Sequence, residues 1–361
     1  MKPIYISATL QDCGKTSVTL GLMQLLHDRG FDPGYCKPVG QHYVQYQDKN
    51  IDKDSVLMHQ VFNLRDEPHY LSPIAIERDF TRNFINCPNA EPLEREILRS
   101  RDELFKAHKI VLFEGTGHAG VGSCFGLSNA RVAELLKARV VIVTAGGIGK
   151  PMDEVALSLS LFRQHNVDVM GVILNKVLPQ KYDMVKEMVG KGMRLFGTQL
   201  LGAIPYEHIL SNFTVGQLAE EFDYNVLCGQ DALSNPIDHT VVAAMEPQNV
   251  VRYIKENTLV IMPGDRIDNI LISILILSRQ TPPSGGLLLT GGFEPHPTIE
   301  PLLKSSNIPV LTSSEDTFTV SARMKDLGFK IQVYDTDKIA RLHQLVSQFV
   351  DCDALIKTLT E

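Results

Sequence analysis

The stretch Ser7-Ala8-Thr9-Leu10-Gln11-Asp12-Cys13-Gly14-Lys15-Thr16-Ser17 decides the fold. A short apolar run, Ile4-Tyr5-Ile6, stands in front of it. Behind it Val18, Leu22, Leu25 and Leu26 recur at the spacing of one helical face. The order is strand, tight loop ending in Gly-Lys-Thr, then helix, which is the setting of a P-loop. In such a loop the backbone N–H groups and the helix N-terminus cradle phosphate oxygens. Lys15 would reach the outer phosphates, and Thr16 would offer its hydroxyl to Mg²⁺. The usual pattern, G-x-x-x-x-G-K-[ST], places its first glycine at position 9, which is Thr here. A loop longer by one residue would begin at the small residue Ala8. The competing reading is a chance Gly-Lys-Thr on a surface loop, and the strand and helix flanks favour the phosphate site.

Working outward, 361 residues predict two domains, since one domain holds roughly 100–200 residues. With 44% hydrophobic and 21% charged residues, the chain can bury sizeable cores. A net charge of −7 argues against nucleic-acid binding driven by counterion release. It leaves room for a polyanion held locally by a few Lys and Arg. The six cysteines, at 13, 36, 87, 124, 228 and 352, show no C-x-x-C or zinc spacing. That predicts idle thiols in a reducing compartment, with Cys13 set apart only by its place in the loop. The start of the chain lacks a secretory apolar region. The longest apolar run, Ile270 to Leu277, falls far short of the roughly 20 residues of a membrane span. The expectation is a cytoplasmic protein with no membrane or nucleic-acid partner.

The first half alternates strand and helix patterns. Strands are expected at Pro3–Ser7, Gly34–Val39, Lys109–Glu114, Ala138–Ala145, Val167–Leu174 and Gln199–Ile204, with helices at 16–28, 53–62, 91–106, 129–137, 152–165 and 181–195. The runs 139–145 and 169–174 are nearly all apolar, as for strands covered on both faces. This predicts an α/β fold with a doubly wound, mostly parallel sheet. Such sheets bind ligands at the carboxyl ends of their strands.

The strand ends carry the candidate residues. Lys37 could hold a phosphate or an acceptor carboxylate, or be an ordinary exposed lysine. Asp54 could reach Mg²⁺ or its water shell; alternatively it caps a helix, a task Asp52 could equally perform. Glu114 ends the buried run Ile110-Val111-Leu112-Phe113 and is followed by Gly115-Thr116-Gly117. A buried acid needs a partner, and a metal would serve, as in a Walker B carboxylate. Gly115 and its neighbours would let backbone approach a ligand; otherwise they form a flexible turn. The small-residue loop Thr144–Pro151 lines the site or is a simple turn. Asn175 could pair with a base edge and Pro205 could pack on a base face, although both are common turn residues.

Taken together, Gly-Lys-Thr-Ser at 14–17, Lys37-Pro38, Asp54, Glu114-Gly115-Thr116-Gly117, Asn175 and Ile204-Pro205 resemble the dethiobiotin synthetase-like branch of P-loop proteins. The version most similar is the one found at the N-terminus of long bacterial phosphotransacetylases. The resemblance covers about residues 1–210. It implies ATP and Mg²⁺ as cofactors, with Asp12, Cys13, Gly14, Lys15, Thr16, Ser17, Gly115, Asn175 and Pro205 around the nucleotide. It also implies Thr16, Asp54 and Glu114 at the metal, Asp12 as a further possible metal contact, and Lys15 and Lys37 as the catalytic lysines. In dethiobiotin synthetase the nucleotide activates a carbamate as a mixed anhydride. Here Ala8 replaces the family's loop glycine, and the segment from Gln41 to Asn50 does not match the biotin-precursor pocket.

In the second half, assigned to residues 211–361, Gly264-Asp265-Arg266, Leu289-Thr290-Gly291-Gly292 and Asp316-Thr317-Phe318-Thr319 resemble a DRTGG domain over about 212–330. Strands are expected at 224–228, 239–245, 258–262, 285–290, 308–312 and 329–334. Helices are expected at 215–221, 248–256, 266–279, 297–305, 316–326 and 336–349, the last amphipathic through Leu342, Leu345, Val346 and Phe349. Asp265, Arg266, Gly291 and Gly292 read as capping, turn and interface residues. No stretch here resembles an acetyltransferase domain, so the expectation is against acetyl transfer. Three functions remain: a Mg·ATP-binding sensor with at most slow hydrolysis; an ATP-dependent ligase acting on a small carboxylate or carbamate; and an oligomeric scaffold with a vestigial loop. A homo-oligomer is expected. Adenine is favoured over guanine, because Asn175-Lys176 is followed by Leu178 where Asn-Lys-x-Asp needs Asp.

Overall fold

The structure, a computed structural model, describes residues 3–326 and 331–360. The chain divides into two compact units, Met1–Glu207 with Ile331–Glu361, and His208–Lys330.

The first unit is built on a six-stranded sheet. Its strands are β1 (Ile4–Ala8), β2 (Pro33–Cys36), β3 (Ile110–His118), β4 (Arg139–Ala145), β5 (Val169–Val177) and β6 (Leu200–Pro205). The order across the sheet is β6-β5-β4-β1-β3-β2, and every pairing is parallel. The central strands are buried on both faces, which is why their sequences are continuous runs of Val, Ile and Leu rather than alternating patterns. Helices fill the crossovers, the first being α1 (Lys15–Asp28).

The expected elements of this half are present, with two differences that matter for the site. β3 does not stop at Glu114 but runs on to His118, so Gly115, Thr116 and Gly117 are strand residues rather than a free turn. The segment 43–52 forms a hairpin, Tyr43–Tyr46 against Lys49–Asp52. Its turn residues Gln47 and Asp48 both have positive φ, the geometry of a tight I′-type turn.

The second unit has its own sheet: β7 (Asn225–Cys228), β8 (His239–Val242), β9 (Thr258–Pro263), β10 (Gly286–Thr290) and β11 (Val310–Thr312). The order is β7-β11-β10-β9-β8, parallel except for the β7–β11 pair. Thr214 and Gln217 form a reciprocal capping box that starts helix Val215–Phe222. The apolar run 270–277 is helical, inside Ile267–Ser278, as its length predicts; the N-cap is Arg266, without a side-chain cap bond, where Asp265 was read as the capping residue. Two clusters of buried side chains, one on each face of the sheet, give this unit its own core.

The sequence reading placed 211–361 in one domain, and here the structure corrects it. Ile331–Glu361 belongs to the first unit. Helix Thr336–Phe349 lies along α1, and Val350 bridges to Gly202 of β6. The strand expected at 329–334 lies partly outside the described residues, and 331–334 form no strand. Among the described residues no helix is long and apolar enough to cross a membrane.

Candidate functional site

The loop after β1 is closed by Gly14, whose φ of +85° is in the left-handed region that only glycine enters without strain. Its missing Cβ also leaves room for Asn175, whose Nδ2 would collide with a side chain there. Asn175 Nδ2 donates to the Cys13 carbonyl at 3.0 Å, and its Oδ1 accepts from the Lys176 N–H at 2.9 Å. Lys176 Nζ donates to the Asp12 carbonyl at 2.8 Å. The end of β5 therefore grips the loop at two successive carbonyls. This leaves the first-turn N–H groups of Lys15, Thr16 and Ser17 at a helix start, where no intrahelical partner exists. Thr9 anchors the other side, bonding Thr144 Oγ1 at 2.9 Å and Glu154 Oε2 at 3.0 Å.

Beside the loop, the parallel strands bring distant residues together. Thr16 Oγ1 donates to Glu114 Oε1 at 2.7 Å, and the Tyr35 hydroxyl donates to Glu114 Oε2 at 3.2 Å. Lys37 Nζ is held between Asp54 and Asp52, with Asp52 Oδ1 at 3.1 Å. All four charged residues, Lys37, Asp52, Asp54 and Glu114, are buried. Asp52 is the cap of helix Lys53–Val61, accepting from the Asp54 N–H at 2.9 Å. Of the two roles the sequence left open, Asp52 takes the cap, and Asp54, in the first turn, faces Lys37.

The electrostatics follow from burial and sign. Burial raises the pKa of Glu114 and the charge of Asp54 adds to the rise; Lys37, Lys15 and the Thr16 hydrogen bond offset part of it. Burial lowers the pKa of Lys15, only partly countered by Glu114 and Asp54. Burial works against the charge of Lys37 too, but Asp54, Asp52 and Glu114 outweigh it and hold its pKa above the usual lysine value.

Lys15, Thr16, Lys37, Asp54 and Glu114 thus lie in one cluster. Asp12 does not join it: the residue is exposed, with φ of +57°, and among the described residues its carbonyl accepts from Lys176 Nζ. Cys13 is buried, 3.7 Å from Thr9 Oγ1, and Ser17 is half-buried in the first helical turn. A Cβ at Gly115 would strike Asn129 Oδ1 and Tyr5, so the missing side chain makes room for the Tyr5–Asn129 hydrogen bond of 2.7 Å. Asn175 spends both polar ends on the loop and its own neighbour, where a base-edge contact was expected. Pro205, half-buried at the end of β6, pairs in register with Val177.

Sequence reasoning missed three contributors. Tyr35 stands two residues before Lys37, so the period-2 side-chain pattern of a strand would have put both on one face. Asn129 also donates to the Thr116 and His118 carbonyls at 2.8 and 2.6 Å; its only signal was the preceding cap residue Ser128. Glu154 lies inside a helix with no spacing to mark it.

The donor set suits Mg²⁺. A hydroxyl and a carboxylate oxygen 2.7 Å apart, with a second carboxylate nearby, are hard oxygen donors, and Mg²⁺ takes one or two carboxylates alongside phosphate and water. Buried Glu114, with its raised pKa, is the group a cation would relieve. Among the described residues no cluster of three or more His, Cys, Asp or Glu is built to hold a metal by itself.

Comparison with known proteins agrees with this architecture. Residues 2–214 match the AAA domain family and residues 217–327 match the DRTGG domain. Curated relatives include the phosphate acetyltransferase of Nitratidesulfovibrio vulgaris, 28% identical over 98% of this chain and 51% of that protein. Another is the phosphate acetyltransferase of Synechocystis sp., 26% identical over 99% of this chain and 51% of its own length. The chain spans about half the length of these relatives. Among solved structures, the septum site-determining protein MinD complexed with Mg-ADP from Pyrococcus horikoshii is 13% identical, with a TM-score of 0.35 over 58% of this chain and 83% of that one. The CBS and DRTGG domains of Clostridium perfringens pyrophosphatase are 20% identical, with a TM-score of 0.26 over 49% and 69%. With its P-loop-type first domain followed by a DRTGG domain, the chain belongs to the AAA domain family.

Proposed function

We propose that the first domain binds Mg·ATP and that the protein works as a nucleotide-responsive regulator, with at most slow hydrolysis. The Thr16–Glu114 contact beside the Lys15 turn supports the nucleotide and metal assignment. In this reading Lys15 meets the outer phosphates, and Thr16 and Glu114 hold Mg²⁺ with Asp54 at its water shell. Gly14 and the N–H groups of Lys15 to Ser17 embrace the phosphates. The single observation behind a regulatory rather than a synthetic role is the state of Lys37. It is buried and neutralised by Asp52 and Asp54, so its charge is committed within the chain rather than offered to an acceptor carboxylate. The ATP-dependent ligase is the second reading, favoured by the charge interaction of Lys37 with Glu114, which itself bonds Thr16.

Calorimetry with Mg·ATP tests the first reading. Micromolar binding is expected in the native chain, and at least a tenfold loss in Lys15→Ala, since a charge-assisted phosphate contact contributes on the order of 1.5–3 kcal/mol. ADP release should then be slow and indifferent to a panel of small acids and amines. Release that depends on one acid would replace the regulator with the ligase. Absence of any Mg·ATP binding would leave only a scaffold.

A further inference from the structure

One face of helix Ile267–Ser278 is apolar and uncovered. Ile267, Leu271 and Leu275 follow one another every four residues and are 36%, 36% and 44% exposed. Ile272 and Ile276 flank them, half-buried. The opposite side, through Ile270, Ile274 and Leu277, is packed into the core beside β9 and β10. Exposed apolar side chains gathered on one helix face mark a contact surface. Met245, 36% exposed, extends the stripe at its N-terminal end, where its carbonyl accepts from Asn269 Nδ2 at 2.9 Å. The stripe's next position is Arg279, which is exposed and makes no ion pair among the described residues. The N-terminal end carries exposed Asp265 and Asp268, against Arg266, which pairs with Asp268 at 3.1 Å.

We propose that this stripe joins two copies of the chain, helix against helix, antiparallel about a two-fold axis. The charge pattern selects the occupant. The stripe is acidic at its start and basic at its end, so an antiparallel second copy sets Asp268 of each chain beside the partner's Arg279 and Leu271 beside the partner's Leu275. Such an interface is self-complementary, as two-fold contacts must be. A parallel pairing would set like charges together. The antiparallel arrangement also sets the positive N-terminal end of each helix beside the negative C-terminal end of the other. Twelve residues give about 18 Å of helix, which covers less than the roughly 800 Å² per partner of a standard interface. The contact is therefore small and the dimer concentration-dependent, which a dilution series reads.

Sedimentation of the full chain across micromolar concentrations tests this. The native chain should move from monomer to dimer, and Leu271→Lys, with unchanged circular dichroism, should stay monomeric. Asp268→Lys and Arg279→Glu each place like charges in contact and should weaken self-association at least about tenfold. Mixing these two variants restores both opposite-charge pairs in a heterodimer, so the mixture should recover the native dimer. That arm involves only exposed side chains and stands even if Leu271→Lys folds poorly. A native chain that remains monomeric overturns the proposal. So does a dimer that survives these substitutions, or a mixture that associates no better than its components, since the contact would then lie elsewhere.

Discussion

Gly14 is constrained twice, by a left-handed backbone and by Asn175 packed where a Cβ would stand. Gly14→Ala should therefore both destabilise the fold by about 1–3 kcal/mol and distort the loop. A lowered denaturant midpoint together with loss of Mg·ATP binding is the expected result. His108 offers a pH prediction. Its Nε2 faces Asp66 Oδ2 at 2.8 Å and its Nδ1 faces the Asp32 carbonyl at 3.0 Å. The Asp66 hydrogen bond raises its pKa above the usual histidine value, against the opposing effect of burial. The folded state thus holds the proton more tightly than the unfolded one. This contribution is fully present below about pH 6.5, the ordinary histidine value, and is lost as pH rises through the raised folded-state value. Denaturant midpoints taken from acid to alkaline pH should show this loss in the native protein, and His108→Gln should flatten that part of the curve.

At the scale of elements, α1 carries the phosphate loop at one end and is gripped along its flank by helix Thr336–Phe349. Gly21 is the point of contact: a Cβ there would meet the Val346 side chain. His343 Nε2 reaches Asp28 Oδ2 at 2.8 Å near the far end of α1. Alanine is the better helix former by about 1 kcal/mol, yet overpacking costs about 1–3 kcal/mol. Gly21→Ala should therefore come out destabilising. Adding Val346→Ala should restore part of that loss, a coupling that a double-mutant cycle of thermal or denaturant melts can measure.

At the scale of the molecule, the second unit is inserted between β6 and the helix that completes the first. A chain cut after residue 330 removes the helices that cover Leu22, Leu25 and Leu26 of α1, which together with Cys352, Leu355 and Ile356 line one small apolar pocket. That shortened chain should melt at a lower temperature and be cut by protease within the first unit. The fragment 208–330, with its own two-sided core, should retain a cooperative melt. Equal stability of the shortened and full chains would show that the C-terminal helices contribute nothing to the first unit.

Much of this was legible without coordinates. Val140 to Val143 read as a strand covered on both faces, and Val18, Leu22 and Leu25 as a helix face, because both patterns depend on near neighbours. Gly-Lys-Thr between them marked the loop for the same reason. The order of strands is another matter. The contacts of Thr16 with Glu114 and of Lys37 with Asp54 join residues 98 and 17 positions apart, and β1 lies between β3 and β4 only once the sheet is assembled. Sequence by itself determined the loop and most strands and helices, since periodicity and turn chemistry are local, but not the hairpin at 43–52 or the run of β3 past Glu114. Only the tertiary structure decided that Lys37 is neutralised by two aspartates, that Gly115 serves Tyr5 and Asn129, and that the last helices return to the first unit. Those outcomes depend on which surfaces meet, and hydrophobic burial is non-directional: it says that a face is covered, not by what.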